Sequence, residues 1–175
     1  MKQIIILLIG IFLMSTVSAE VPKEPKFRTV NSADLTVQKA HAMAANSMPQ
    51  FIELVKSRGE STFMAKLRFR DPELSQKLGE EQLLYLWLTD VYYHEEENLL
   101  SGVFFEVPDS LRKWHQVGER LGFDAEDVFD WMVNTNGHVK GAYTIRVTRN
   151  SLADEQAKAE YDEYIGISSY EPLTE

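Results

Sequence analysis

Phe63-Met64-Ala65-Lys66-Leu67-Arg68-Phe69 decides the fold, because its period is two: Phe63, Ala65, Leu67 and Phe69 point one way. Just downstream, Leu83 to Tyr93 is apolar on both faces. Leu84, Leu86 and Leu88 line one side, and Leu83, Tyr85, Trp87 and Val91 the other, as in a central strand covered on both sides. His94-Glu95-Glu96-Glu97-Asn98 interrupts, and the run from Leu99 to Val107, containing Gly102, resumes as a strand. The two runs read as a hairpin, closed by Pro108-Asp109-Ser110. A short strand is expected around Gly118 to Phe123.

Helical signals lie on either side of these strands. Asn31, Ser32 or Asp34 can cap a stretch rich in alanine through Ala45. Ser47-Met48-Pro49 reads as a second start, with Ser47 as N-cap, Phe51, Leu54 and Val55 as the apolar stripe and Gly59 as the stop. A pair of short helices and a single helix kinked near Pro49 fit equally. Asp124-Ala125-Glu126-Asp127 opens a turn or so of helix. Asp130-Trp131-Met132-Val133 then leads into the turn Asn134-Thr135-Asn136-Gly137. Gly141 to Val147 alternates like a strand, with a helix from Tyr143 as its competitor. Ser151-Leu152-Ala153-Asp154 opens a C-terminal helix that runs to Tyr164 or Ile165 and stops at Gly166. The expected class is α+β: an N-terminal helix or helix pair, a central antiparallel sheet of about four to six strands, and a C-terminal helix.

The chain begins with Lys2, an apolar run from Ile4 to Met14, and the small residues Ser15-Thr16-Val17-Ser18-Ala19. This is the layout of a secretory signal peptide, expected to be cleaved after Ala19 and to leave no stable membrane anchor, with a periplasmic or secreted product. Residues 20–31, with Pro22 and Pro25 among charges, read as a flexible leader. Residues 32–150 then form a single α+β domain, and 151–175 the C-terminal helix and a loose tail. The formal charge of the whole chain is −9, and the signal takes only Lys2 with it. That balance speaks against general nucleic-acid or anionic-membrane binding, which needs a basic face. Lys66, Arg68 and Arg70 alternate on one strand and read as a solvated face. There is no cysteine, so disulfides, thiol catalysis and thiolate metal sites are excluded.

No motif assembles an active site. His94 beside Glu95, Glu96 and Glu97 lacks metal-ligand spacing and reads as a solvated hairpin tip, so no metal and no cofactor are expected. Nucleophile elbows, phosphate loops and EF-hands are absent. Asp130 stands out. It lies between Phe129 and Trp131, where an unpartnered carboxylate is costly, so Arg146 or backbone N–H groups are its expected partners.

In order along the chain, Phe63-Met64-Ala65-Lys66, Leu86-Trp87-Leu88 with Asp90-Val91, Ser101-Gly102-Val103, Asp130-Trp131-Met132 and Gly141-Ala142-Tyr143-Thr144-Ile145-Arg146 form a recognisable pattern. It resembles the YegJ-like family of small bacterial proteins, a domain of unknown function, from about Ala42 to Asn150. The family pattern has a second glycine where Ala142 stands, and polar residues where Leu84 and Tyr85 stand. The resemblance implies a bacterial protein and brings no catalytic residues with it.

The functional expectation is a non-enzymatic protein-binding module, inhibitor-like or immunity-like. Its aromatics (Trp87, Trp114, Trp131, Tyr92, Tyr93, Phe104, Phe105) suit interface anchoring, and its negative surface a basic partner. The alternative is a hydrolase using Asp130 with His115 or His138 and Arg146, or a small-molecule site on Asp130, Trp131, Tyr143 and Arg146. Trp87, Asp130, Trp131, Tyr143, Thr144 and Arg146 form the candidate cluster.

Overall fold

A computed structural model describes residues 34–173; the signal peptide and leader expected over 1–31 lie outside the described residues. The chain runs α1 (Leu35–Asn46), α2 (Met48–Ser57), β1 (Thr62–Arg70), α3 (Pro72–Leu78), β2 (Leu83–His94), β3 (Leu99–Phe104), β4 (Arg120–Phe123), β5 (Val128–Thr135), β6 (His138–Gly141), α4 (Tyr143–Asn150), α5 (Glu155–Tyr164) and β7 (Ser169–Tyr170). One sheet takes the order β4-β3-β2-β1-β5-β6-β7. Its pairs are antiparallel except β6 with β7, which is parallel.

The α+β architecture expected from the periodicities is found, with a helix pair at the N-terminal end of the described chain. The sheet, however, has seven strands and not four to six. One unforeseen strand is β5, over the Asp130-Trp131 stretch, which is buried along most of its length and pairs with both β1 and β6. The others are β6, over His138–Gly141 just before the run that reads as a strand, and β7, in the tail expected to be loose. Ser168 N–H donates to Gly137 O at 2.8 Å, and Glu171 N–H to Val139 O at 2.8 Å, which straps the chain's end to β6.

Local signals account for most boundaries. The Asp34 carboxylate accepts from Thr36 N–H at 2.8 Å and starts α1. Ser47 sits at the N-cap position of α2 without capping it, because its hydroxyl turns back to Met43 O (2.7 Å). Arg58, not Gly59, takes the left-handed conformation after α2, with φ 43°. Asn136 (φ 52°) and Gly137 (φ 87°) make the tight β5–β6 turn, as an Asn-Gly pair can at little steric cost. Asp154 caps α5 through Ala157 N–H at 2.9 Å, and Gly166 (φ 71°) follows it. At Gly141–Val147 the helix wins: α4 begins at Tyr143.

Alternation along the strands separates two cores. On the first face of the sheet, Phe51 and Val55 of α2 and Ala40 and Ala44 of α1 pack on Ala65, Leu67, Leu86, Leu88 and Trp131. On the second face, Met132, Val139, Ala142, Ile145 and Ile167 form a smaller cluster, with Met64 and Trp87 at its margin.

Candidate functional site

Asp130 is completely buried, on the second face of β5, with Lys66 of β1 as its register partner. Four donors converge on it. Trp131 N–H (2.8 Å) and Tyr143 N–H (3.2 Å) donate to Oδ1; Thr144 N–H (2.7 Å) and the Thr144 hydroxyl (2.6 Å) donate to Oδ2. Lys66 Nζ in turn donates to Thr144 Oγ1 at 2.8 Å and stands 5.1 Å from the centre of the Trp87 ring. The result is a chain from ammonium through hydroxyl to carboxylate.

The local sequence explains why α4 needs this arrangement. Its N-cap residue, Ala142, has φ 56° and offers no side-chain cap, so the first N–H groups of the helix would be orphaned. Asp130, twelve residues upstream in sequence, supplies the missing acceptor and places a negative charge at the positive end of the helix. Gly141 (φ 71°) lets the backbone pass against Trp131, where an added Cβ would come within 2.5 Å of Trp131 O. The left-handed backbone at Ala142 is a conformation that glycine adopts freely.

Burial pushes the Asp130 carboxyl above its usual range, while Lys66 and the donated hydrogen bonds pull it back down. Three of the four donors are backbone N–H groups, which cannot accept a proton, so the geometry is made for the carboxylate form. Burial likewise holds the Lys66 ammonium below its usual range, against the raising effect of Asp130.

Trp131 and Tyr143 lie on the other side of this junction. Trp131 Nε1 donates to Ser47 Oγ (3.0 Å) and Ala44 O (3.2 Å), and Ser47 Oγ shares a hydrogen bond with the Tyr143 hydroxyl (2.9 Å). Phe51 stacks on the Trp131 ring at 5.1 Å, and Tyr143 meets it edge-on at 5.8 Å. The cluster therefore joins β1, β5, α4 and the α1–α2 corner.

The other expected partners stand apart from it. Arg146 does not pair with Asp130: its Nε donates to Gly141 O (2.9 Å) and another guanidinium nitrogen to Glu171 O (2.7 Å). His115 contacts Glu119 (3.1 Å) and stacks on Phe104, while His138 contacts Ser169 Oγ (2.8 Å). Asp130, the histidines and Arg146 are thus not brought into one cleft, and the carboxylate that would act on a substrate is sealed. Clefts of about 420 and 600 Å³ lie at the β2–β3 tip and beside the β5–β6 turn, and neither is lined by Lys66, Asp130 or Thr144. His94 bonds Ser101 Oγ at 2.9 Å, and among the described residues no group of three His, Asp or Glu could hold a metal ion. No helix among them is long and apolar enough to cross a membrane.

Periodicity placed Lys66 on a solvated face, yet it is buried. The signal that could have found it is its register opposite Trp87 and Asp130, which depends on strand pairing. The network as a whole fastens a helix to a sheet; it presents no reactive group to solvent.

No solved structure matches the chain. A putative ankyrin repeat protein of Neisseria meningitidis serogroup B is 30% identical over 88 residues, which is 50% of this chain and 33% of that protein. The chain thus spans about a third of that relative's length. The model of an uncharacterized protein family conserved in bacteria, DUF2314, matches residues 34–169, from the cap of α1 into β7, and the chain belongs to that family.

Proposed function

We propose that the chain is a non-enzymatic protein-binding module of inhibitor or immunity-like type, exported by its N-terminal segment and freed by cleavage after Ala19. Within its family, the motifs Asp130-Trp131-Met132 and Gly141 to Arg146 support a YegJ-like placement. The observation that carries the binding reading is the segment between β3 and β4. It holds Phe105 43% exposed, Trp114 53% exposed and Val117 64% exposed. The segment is firmly held: Gly118 N–H donates to Phe104 O (2.8 Å), Trp114 N–H to Leu111 O (2.9 Å), and His115 stacks on Phe104. Exposed apolar residues are ordinary singly; three on one ordered segment of 13 residues, two of them aromatic, offer the kind of side chain that dominates interface energetics. The relative from Neisseria meningitidis, a putative ankyrin repeat protein, adds support.

The test is affinity capture of the tagged mature protein from an extract of its own bacterium, followed by reconstitution from purified components. A one-to-one complex that is lost in Trp114→Ala/Val117→Ser, with thermal stability retained, supports the reading. A complex indifferent to both substitutions removes this segment as the interface. N-terminal sequencing of the exported protein tests cleavage: Glu20 is the expected first residue.

A further inference from the structure

Beyond the cluster at β5–β7, the second face of the sheet carries a different pattern. Strand pairing sets three residues of β1 opposite three of β2: Lys66 opposite Trp87, Arg68 opposite Tyr85, and Arg70 opposite Leu83. Facing residues of an antiparallel pair lie on the same side. Each row therefore joins a cation to an aromatic or apolar partner. Thr89 pairs with Val103 and extends the face onto β3.

The three cations do not share one fate. Lys66 is buried and engaged by Thr144 and Asp130. Arg68 and Arg70 are exposed, and among the described residues no ion pair joins either to a carboxylate. Arg68 instead leans on rings: its guanidinium carbon lies 5.9 Å from the centre of Phe129, which meets Tyr85 at 4.5 Å. No hydrogen bond or ion pair among the described residues takes its N–H groups, which can therefore meet an anion. The second-face positions of β1, β2 up to Thr89, and β3 contain no Asp or Glu. On a chain of charge −9, this is a basic, half-apolar exception.

We propose that this face docks an acidic segment of a partner protein, with Arg68 and Arg70 binding its carboxylates while Tyr85 and Trp87 form the platform beneath its apolar side chains. The proposal rests on the protein-binding reading, but it uses a surface other than the Trp114 segment and specifies the chemistry of the partner. Charge complementarity selects the occupant. A nucleic acid could use the same arginines and rings, but an extended polyanion would also meet the field of the acidic remainder. A short segment senses mainly the charges within about 8 Å at physiological ionic strength, and at the paired positions of this face the exposed charges are Arg68 and Arg70.

Fluorescence anisotropy of a labelled dodecapeptide of alternating Glu and Leu tests it, with an alternating Lys-Leu peptide and a (dT)12 oligonucleotide as comparisons. The expected result is saturable binding of the Glu-Leu peptide, weakened by added salt and at least tenfold weaker in Arg68→Glu/Arg70→Glu. Both positions are exposed, so the variant should keep the wild-type circular dichroism; Arg68→Gln/Arg70→Gln serves as the milder control. Absence of saturable binding, or binding unchanged in these variants, overturns the proposal. Tighter binding of (dT)12 overturns it too and gives the face to single-stranded nucleic acid. If a partner is still captured through Trp114 after such a failure, the binding-module reading stands and only this surface is withdrawn.

Discussion

Replacing Asp130 by alanine tests the central structural claim, that one carboxylate holds α4 to the sheet. The substitution removes the acceptor of four hydrogen bonds, three of them from backbone N–H groups, and leaves the Lys66 ammonium buried without its counter-charge. Each unsatisfied buried donor costs about 1–3 kcal/mol, and leaving a buried charge without its counter-charge costs up to about 3–5 kcal/mol, a ceiling here because the two charges meet through the Thr144 hydroxyl. These costs overlap, because the same groups are counted in both, so we expect a loss of about 4–5 kcal/mol. Lys66→Met should be far milder. It leaves the carboxylate its four donors and the helix N-terminus, and it lays an apolar side chain against Trp87; about 1–2 kcal/mol is expected. Urea unfolding at neutral pH, followed by tryptophan fluorescence and far-ultraviolet circular dichroism, measures both variants and the double mutant. In Lys66→Met, Asp130→Ala should cost about 1–2 kcal/mol less than in the wild type, since no unpaired ammonium is left behind. A loss below about 1 kcal/mol for Asp130→Ala, or a larger loss for Lys66→Met, would refute the assignment of the carboxylate as the anchor.

Trp131→Ala should cost about 3–5 kcal/mol in the same assay, as a large aromatic that is 1% exposed and doubly hydrogen-bonded; near-wild-type stability would show the ring to be dispensable. Gly141→Ala adds a Cβ at φ 71° against Trp131, and the combined backbone strain and overpacking should cost about 2–5 kcal/mol; a melting temperature within one degree of wild type would contradict that packing. The pH dependence of Lys66 has a definite sign. Its folded pKa lies below the ordinary 10.5, so between the two values the unfolded chain binds the extra proton and folding stability rises with pH. The stability difference between wild type and Lys66→Met should therefore grow in favour of the wild type as pH increases toward 10.5, and a flat difference across that window would refute the burial of the ammonium.

Much of the fold was legible because its causes are local. The two-residue period of Phe63 to Phe69 and the two-sided apolar character of Leu83 to Tyr93 are properties of neighbouring residues, and both became strands at the centre of the sheet. Asp154 and Gly166 bound α5 by groups within a few residues of the helix ends. The importance of Asp130 was also legible, since a carboxylate between Phe129 and Trp131 demands partners.

Of the two expected kinds of partner, backbone N–H groups serve it and Arg146 does not; which N–H groups was not legible, and the reason is separation in sequence. Tyr143 to Val147 fits a strand or a helix by pattern alone; the choice is made by an acceptor on β5 that satisfies the first N–H groups of α4. Lys66, Arg68 and Arg70 are indistinguishable as alternating cations on one strand. Strand register and the docking of α4 bury the first beside Thr144 and Asp130 and leave the other two in solvent. The sequence by itself determined the class of fold, the central strands and the need for a partner at Asp130, because these follow from near-neighbour patterns. Only the tertiary structure decided which cation is interior, which helix the carboxylate holds and which face of the sheet stays open, because each depends on groups brought together across many residues of chain.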